Sequence, residues 1–244
     1  NPRPSLHSEL RKRVNQYFEE KQIKQSGNRH LYWKAAILLT LFALTTLHLF
    51  IFQPQWPIAI AECFILGLLI AAIGFNVMHD GSHGSFSTKD MSNKLASYSM
   101  SMLGASHFLW NIKHNVIHHT YTNVEGMDDD IEVGKLMRLA TEQARFNFHK
   151  YQYIYFPALY MFMYLYWVFA ADYKKYFRQK IGEFPINTMK RKDHFRFWMV
   201  KLWHAVAFCA LPIYLFGFWP WLLGFLVMSL TAGFVLSIVF QLAH

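Results

Sequence analysis

The chain has 244 residues, of which 54% are hydrophobic and 18% aromatic. Its nearly uncharged apolar runs are long enough to cross a hydrocarbon core of about 30 Å, which excludes an ordinary soluble domain and predicts a polytopic helical membrane protein. The net charge of +9 does not point to nucleic acid, because the basic residues stand in blocks beside the apolar runs, where they mark cytoplasmic flanks.

Nothing near Asn1 resembles a cleavable signal. In "SLHSELRKRVNQYFEEKQIK", Leu6, Leu10, Val14, Tyr17 and Phe18 recur at helical spacing. This predicts, within residues 1–30, a cytoplasmic amphipathic helix lying along an anionic membrane surface. Apolar segments 35–52 and 58–78 follow, parted only by "QPQWP", whose two prolines and lack of charge suit a turn at the far membrane face. Residues 35–78 therefore read as a helical hairpin, with Glu62 its one acid. Residues 79–150 form a cytoplasmic, histidine-rich helical region. Residues 151–171 are apolar again, with ten aromatics and Pro157. Residues 202–218 and 219–243 make a second hairpin (202–243) around "GFWP". Cys63 and Cys209 both fall inside apolar runs and give no disulfide framework.

Charge orients these elements. Residues 1–30 hold seven Lys/Arg and residues 172–197 hold eight, whereas the linkers 53–57 and 217–220 hold none. Both basic regions are expected to be cytoplasmic. The first hairpin returns the chain to that face at His79, so 151–171 cannot be a simple single crossing. It is expected to be re-entrant or interfacial; a true crossing with one basic loop on the other side is the alternative. The fold class is all-α, with four transmembrane helices as two hairpins.

This topology gathers histidines on the cytoplasmic face. "HDGSH" supplies His79 and His83, "HNVIHH" supplies His114, His118 and His119, and the chain stops at His244. On an α-helix, positions i and i+4 share a face, so each box presents two imidazoles to one ion, while His119 points about 100° away toward a second. Imidazole donors without cysteine suit zinc, copper, iron or nickel. Their place beside the hydrocarbon suits an activated oxygen species directed at an inert C–H bond, which no side-chain acid or base can break. His48 and His204 lie in apolar runs as core histidines, and His107 stands alone outside the site.

The H-x3-H and H-x3-HH boxes and the terminal "QLAH" resemble the membrane-bound fatty acid desaturases, a histidine-box di-iron family. "NVMHDGSHGSFS" and "WNIKHNVIHHTYTNVEGMDDDIE" are similar to its bacterial acyl-lipid and linoleoyl-CoA desaturase branch, related to front-end desaturases. The resemblance covers essentially the whole chain. It implies an oxygen-dependent enzyme that inserts a cis double bond into a fatty acyl lipid or acyl-CoA, with two iron ions, O2 as co-substrate and two external electrons. His79, His83, His114, His118 and His119 match the first two ligand boxes, and His244 matches a further ligand at the end of the last span. Asp80, Asp128 and Asp130 are candidates to orient metal-bound imidazoles. Asn115 is a candidate cap or orienting residue, Trp110 fits the family wording, and Asp129 is expected in a solvated acidic loop.

The family has a third box, Q/H-x2-3-HH, beyond the point where this chain stops, so a C-terminally truncated and inactive chain is expected. It shows no His-Pro-Gly-Gly haem motif, so electrons are expected from a separate ferredoxin- or cytochrome b5-type protein. The active site is expected on the cytoplasmic face, of the inner membrane if bacterial. A di-iron lipid hydroxylase, ketolase or alkane monooxygenase is the alternative within the class; a haem-binding electron-transfer protein or a zinc transporter is the alternative outside it.

Overall fold

The structure is a computed structural model that describes residues 5–186 and 189–243. Helix α1 (Leu6–Glu20) starts where the Ser5 hydroxyl accepts the Ser8 N–H at 3.2 Å, satisfying a donor that the first turn leaves orphaned. None of its residues is buried, and Leu6, Leu10, Val14 and Tyr17 are all exposed. Helix α2 (Arg29–Phe52) is capped by Asn28, which accepts the Leu31 N–H at 2.8 Å. Ala35 alone among its residues is buried, so α2 is an outer span. Gln53 ends it in the left-handed conformation. Trp56 starts the next helix, with Pro57 in the first turn, where a missing N–H breaks no bond.

Helix α3 (Trp56–Ser82) runs past residue 78, where the apolar segment ends, and carries His79 on its last turn. It continues because Gly74–Met78 widens into a π turn instead of stopping. Helix α4 (Asp90–Ser97) follows, then α5 (107–121), whose middle, Ile112–His118, is also π-helical. The apolar segment 151–171 is split between α6 (Asn147–Met161) and α7 (Met163–Arg178), which bend by 58° at Phe162. A two-residue antiparallel hairpin then pairs β1 (Lys180–Ile181) with β2 (Phe184–Pro185), in register Ile181 to Phe184. Helix α8 (Arg191–Phe216) begins well before residue 202, because the charged residues of its first half are still helical and Lys201 is buried. Gly217, at φ +82°, alone separates it from α9 (Phe218–Ala243).

The chain is thus an all-α polytopic membrane protein in which α2, α3, α8 and α9 are long and apolar enough to cross a bilayer. Its core lies between α3 and α9. Leu66, Ile70, Ile73 and Val77 pack with Phe225, Met228, Ala232 and Leu236, and α7 adds Tyr164 and Val168. Gly67 permits this approach, since a Cβ there would lie 2.5 Å from the Met228 carbonyl oxygen. This core holds the ends of α3 and α7 beside α5.

Candidate metal centre

His79 and His83 sit one turn apart at the end of α3, their ring centroids 4.5 Å apart. In the π segment of α5 the turn is wider than in an α-helix, so position i+5 returns to the face of position i. His119 therefore does not point away from His114: their rings lie 4.7 Å apart, and His118 stacks on His114 at 5.3 Å and 9°. That differs from the α-helical expectation, and the π turn is the reason.

The two boxes meet across the gap. His79 Nε2 lies 3.2 Å from His114 Nε2, and His83 Nε2 lies 3.3 Å from His119 Nε2. Two imidazole nitrogens each about 2.1 Å from one cation, at ordinary coordination angles, stand roughly 3.0–3.4 Å apart, so this donor set fits a first-row metal. The nitrogens of His79, His83 and His114 all lie within 4.8 Å of one another, and so do those of His114 and His118 with an Asp130 oxygen. His114 is common to both groups. His114 and His118 are buried, while His83 and His119 are exposed, so the cluster opens to solvent on one side. Burial, with the neighbouring His79 and His119, pushes the His114 pKa down to about 2, and burial with the same kind of crowding lowers that of His83. Both imidazoles are neutral at physiological pH, the form that binds a metal.

The acidic run is folded under the second box. Asp128, fully buried, accepts the His118 Nδ1–H at 2.9 Å, the Asn123 N–H at 2.9 Å and the Asp130 N–H at 3.0 Å. The proton is thereby assigned to Nδ1, leaving Nε2 as the donor atom. Asp130 lies 3.2 Å from the same Nδ1 and pairs with Lys113. Burial works to raise its pKa, but the Lys113 ammonium holds it down to about 2. Asp129 is no free loop acid: it pairs with Lys175 at 2.6 Å and Lys113 at 3.8 Å. Asp80 stands 3.7 Å from His79 Nδ1, beyond hydrogen-bond reach. The Asn115 amide donates to the Ser82 carbonyl at 2.9 Å and to Asn111 Oδ1 at 2.7 Å, joining α5 to the end of α3. His244 lies outside the described residues.

Other residues escaped the sequence reading. Trp110, whose role the sequence left open, stacks on His114 at 4.4 Å and 23°. Beneath His79 lies a narrow apolar cavity walled by Ile70, Gly74, Met78, Leu103, Tyr164, Trp167, Leu236 and Phe240, from four separate parts of the chain. His204 stacks on Phe208 at 4.8 Å, and His48 pairs with Glu62 at 2.6 Å, so both have partners away from the cluster.

The family model for fatty acid desaturase matches residues 54–244. Over 243 residues the chain is 32% identical to an sn-1 linoleoyl-lipid 6-desaturase of Arthrospira platensis, covering 98% of this chain and 65% of that one. It is 31% identical to an sn-1 linoleoyl-lipid 6-desaturase of Synechocystis sp., covering 96% of this chain and 66% of that one. An acyl-lipid (8-3)-desaturase of Physcomitrium patens is 29% identical, with 96% of this chain and 50% of the relative covered. The chain thus spans between 50% and 66% of the length of these relatives. No solved structure matches it. Since the family match runs from residue 54 through both histidine segments to residue 244, this chain belongs to the fatty acid desaturase family.

Proposed function

We propose that the chain carries the metal-binding membrane domain of an oxygen-dependent fatty acyl desaturase, with two iron ions held by His79, His83, His114, His118 and His119, and with His244 as a further ligand. The observation that carries this reading is the meeting of two imidazole pairs at 3.2 and 3.3 Å, directly beside an apolar cavity that has His79 in its wall. Iron, when bound, supplies the oxidation of an unactivated methylene pair by O2. In sum, –CH2–CH2–, O2, two electrons and two protons give a cis –CH=CH– and two waters. The electrons come from a separate ferredoxin- or cytochrome b5-type protein.

The chain's own residues bind, orient and shield. The cavity, of only about 20 Å³, marks where apolar walls would part to admit an acyl chain and exclude water from the methylenes nearest His79. Asp128 keeps the His118 proton on Nδ1, Asp130 braces the same ring, and Asn115 fixes the spacing of the two boxes. The relatives, acyl-lipid and linoleoyl-lipid desaturases, favour an acyl lipid as substrate. The histidines face the cytoplasm, with 151–171 re-entrant, a path that rests on the eight basic residues of 172–197 and that the 58° bend accommodates as it would a broken span. The exposed apolar stripe of α1 rests on the membrane surface.

Expression of the complete gene in a host of known lipid composition, with a competent donor, should yield a new cis double bond by gas chromatography and mass spectrometry. Iron content should fall more in His118→Ala than in His204→Ala. A hydroxylated product, or equal iron loss from both variants, would sink the reading.

A further inference from the structure

We propose that Asp172 and Lys201 are a positioning pair that sets the second histidine segment against the first, an inference that rests on the metal reading above. Both are buried, at 1% and 5% exposure, and hydrogen-bond to groups outside the histidine cluster. Lys201 Nζ donates to the Gly104 carbonyl at 2.9 Å, to the Val168 carbonyl at 2.9 Å and to Asp172 Oδ2 at 2.8 Å, using all three ammonium protons. Asp172 Oδ2 also accepts the Ser106 N–H at 2.8 Å, and Oδ1 accepts the Trp167 indole N–H at 3.2 Å. Four of these five bonds tie α7, α8 and the 103–106 turn together, and the Trp167 bond fixes the Asp172 carboxylate within α7.

The turn is where the pair acts on the site. Gly104 has φ +88°, and a Cβ there would run into the His204 ring, so the turn is pressed against α8. Ser106 is the N-cap of α5: its hydroxyl accepts the Leu109 N–H at 3.4 Å and its carbonyl accepts the Trp110 N–H at 3.0 Å. Asp172 therefore grips the first residue of the helix that carries His114, His118 and His119. One turn on, Trp110 stacks on His114. On the other side Met78, the residue before His79, packs with Ala105 and Trp110, and Trp167 packs against that group. A buried ion pair adds little stability over an apolar pair of the same size. What it supplies here is direction, through four bonds of fixed geometry between segments distant in sequence.

The test uses the whole chain in lipid nanodiscs, with Co(II) as the metal probe. In Asp172→Asn/Lys201→Met both charges are gone, so no lone charge is left buried. It should fold with a thermal transition near the parent's, yet bind Co(II) at least tenfold more weakly, with altered ligand-field bands. Ser106→Pro is the second variant. Its φ of −78° suits proline, and it removes the N–H that Asp172 accepts, together with the capping hydroxyl, while keeping the ion pair. The same spectral change is expected there. Ser106→Ala, which removes the hydroxyl alone, is its control and should keep the parental bands. Parental bands and affinity in the folded double variant or the folded proline variant would overturn the positioning role alone. A parent chain without imidazole–Co(II) bands would overturn the metal reading, and the pair's role with it.

Discussion

At His118 one carboxylate distinguishes the two ring nitrogens. Asp128 takes the Nδ1 proton and is itself fixed by two backbone N–H groups, so the ring has little freedom to flip or change tautomer. Asp128→Asn keeps the shape but introduces an amide that can also donate, which removes the preference for Nδ1–H. Metal affinity should fall about 10–100-fold, as for other partners of ligating imidazoles, when measured by chelator competition on folded protein. Unchanged affinity would mean that Asp128 only closes the loop. The acids beside the second box were legible as imidazole partners from their nearness in sequence. Asp129 was not, because its strongest partner, Lys175, arrives from α7. Asp172 and Lys201 were equally hidden: a lysine next to an apolar run reads as a flank until its three acceptors are in place.

Among the elements, the π segment of α5 decides the most. The spacing H-x3-HH is visible in the sequence, but its meaning depends on residues per turn. At 3.6 residues His119 diverges; in the π turn it comes back toward His114 and reaches His83. Deleting the exposed Val116 would convert the segment to α-helix with His118 and His119 three and four residues after His114, still on its face. That variant should keep its helical circular dichroism and most of its bound metal, whereas inserting one alanine after Val116, which carries His118 and His119 to the fifth and sixth positions, should lose most of it, measured per chain by elemental analysis. Full metal content in the insertion variant would show that the turn geometry of this segment does not set the site. No periodicity argument finds such a turn, because helix widening is set by what packs around it.

For the whole molecule, the order of spans followed from hydropathy, whereas the path expected for 151–171 rests on the basic blocks alone. Residues 172–197 hold eight basic and three acidic residues, for which the positive-inside rule predicts a cytoplasmic position. With Cys63 and Cys209 replaced by serine, Arg191→Cys should react with an impermeant thiol reagent only after the cytoplasmic face is opened. Labelling in intact cells would make α6 and α7 one broken span, which leaves both histidine boxes on the cytoplasmic face and carries the end of α9 to the opposite one. The same experiment at Gln55→Cys, in the opposite loop, should give the reverse result.

The sequence alone determined the class, the number of spans and the candidate ligands, because each depends on local quantities: length of apolar run, sign of flanking charge, spacing of imidazoles. It also put the basic region 172–197 next to the last hairpin, but not α8 inside it, since a buried lysine is satisfied only by groups from other elements. Only the tertiary structure decided which imidazoles meet, that an apolar cavity ends at His79, and that Asp172 holds the N-cap of α5. Each joins segments brought together by the α3–α9 core, and distance between segments is not written in either one of them.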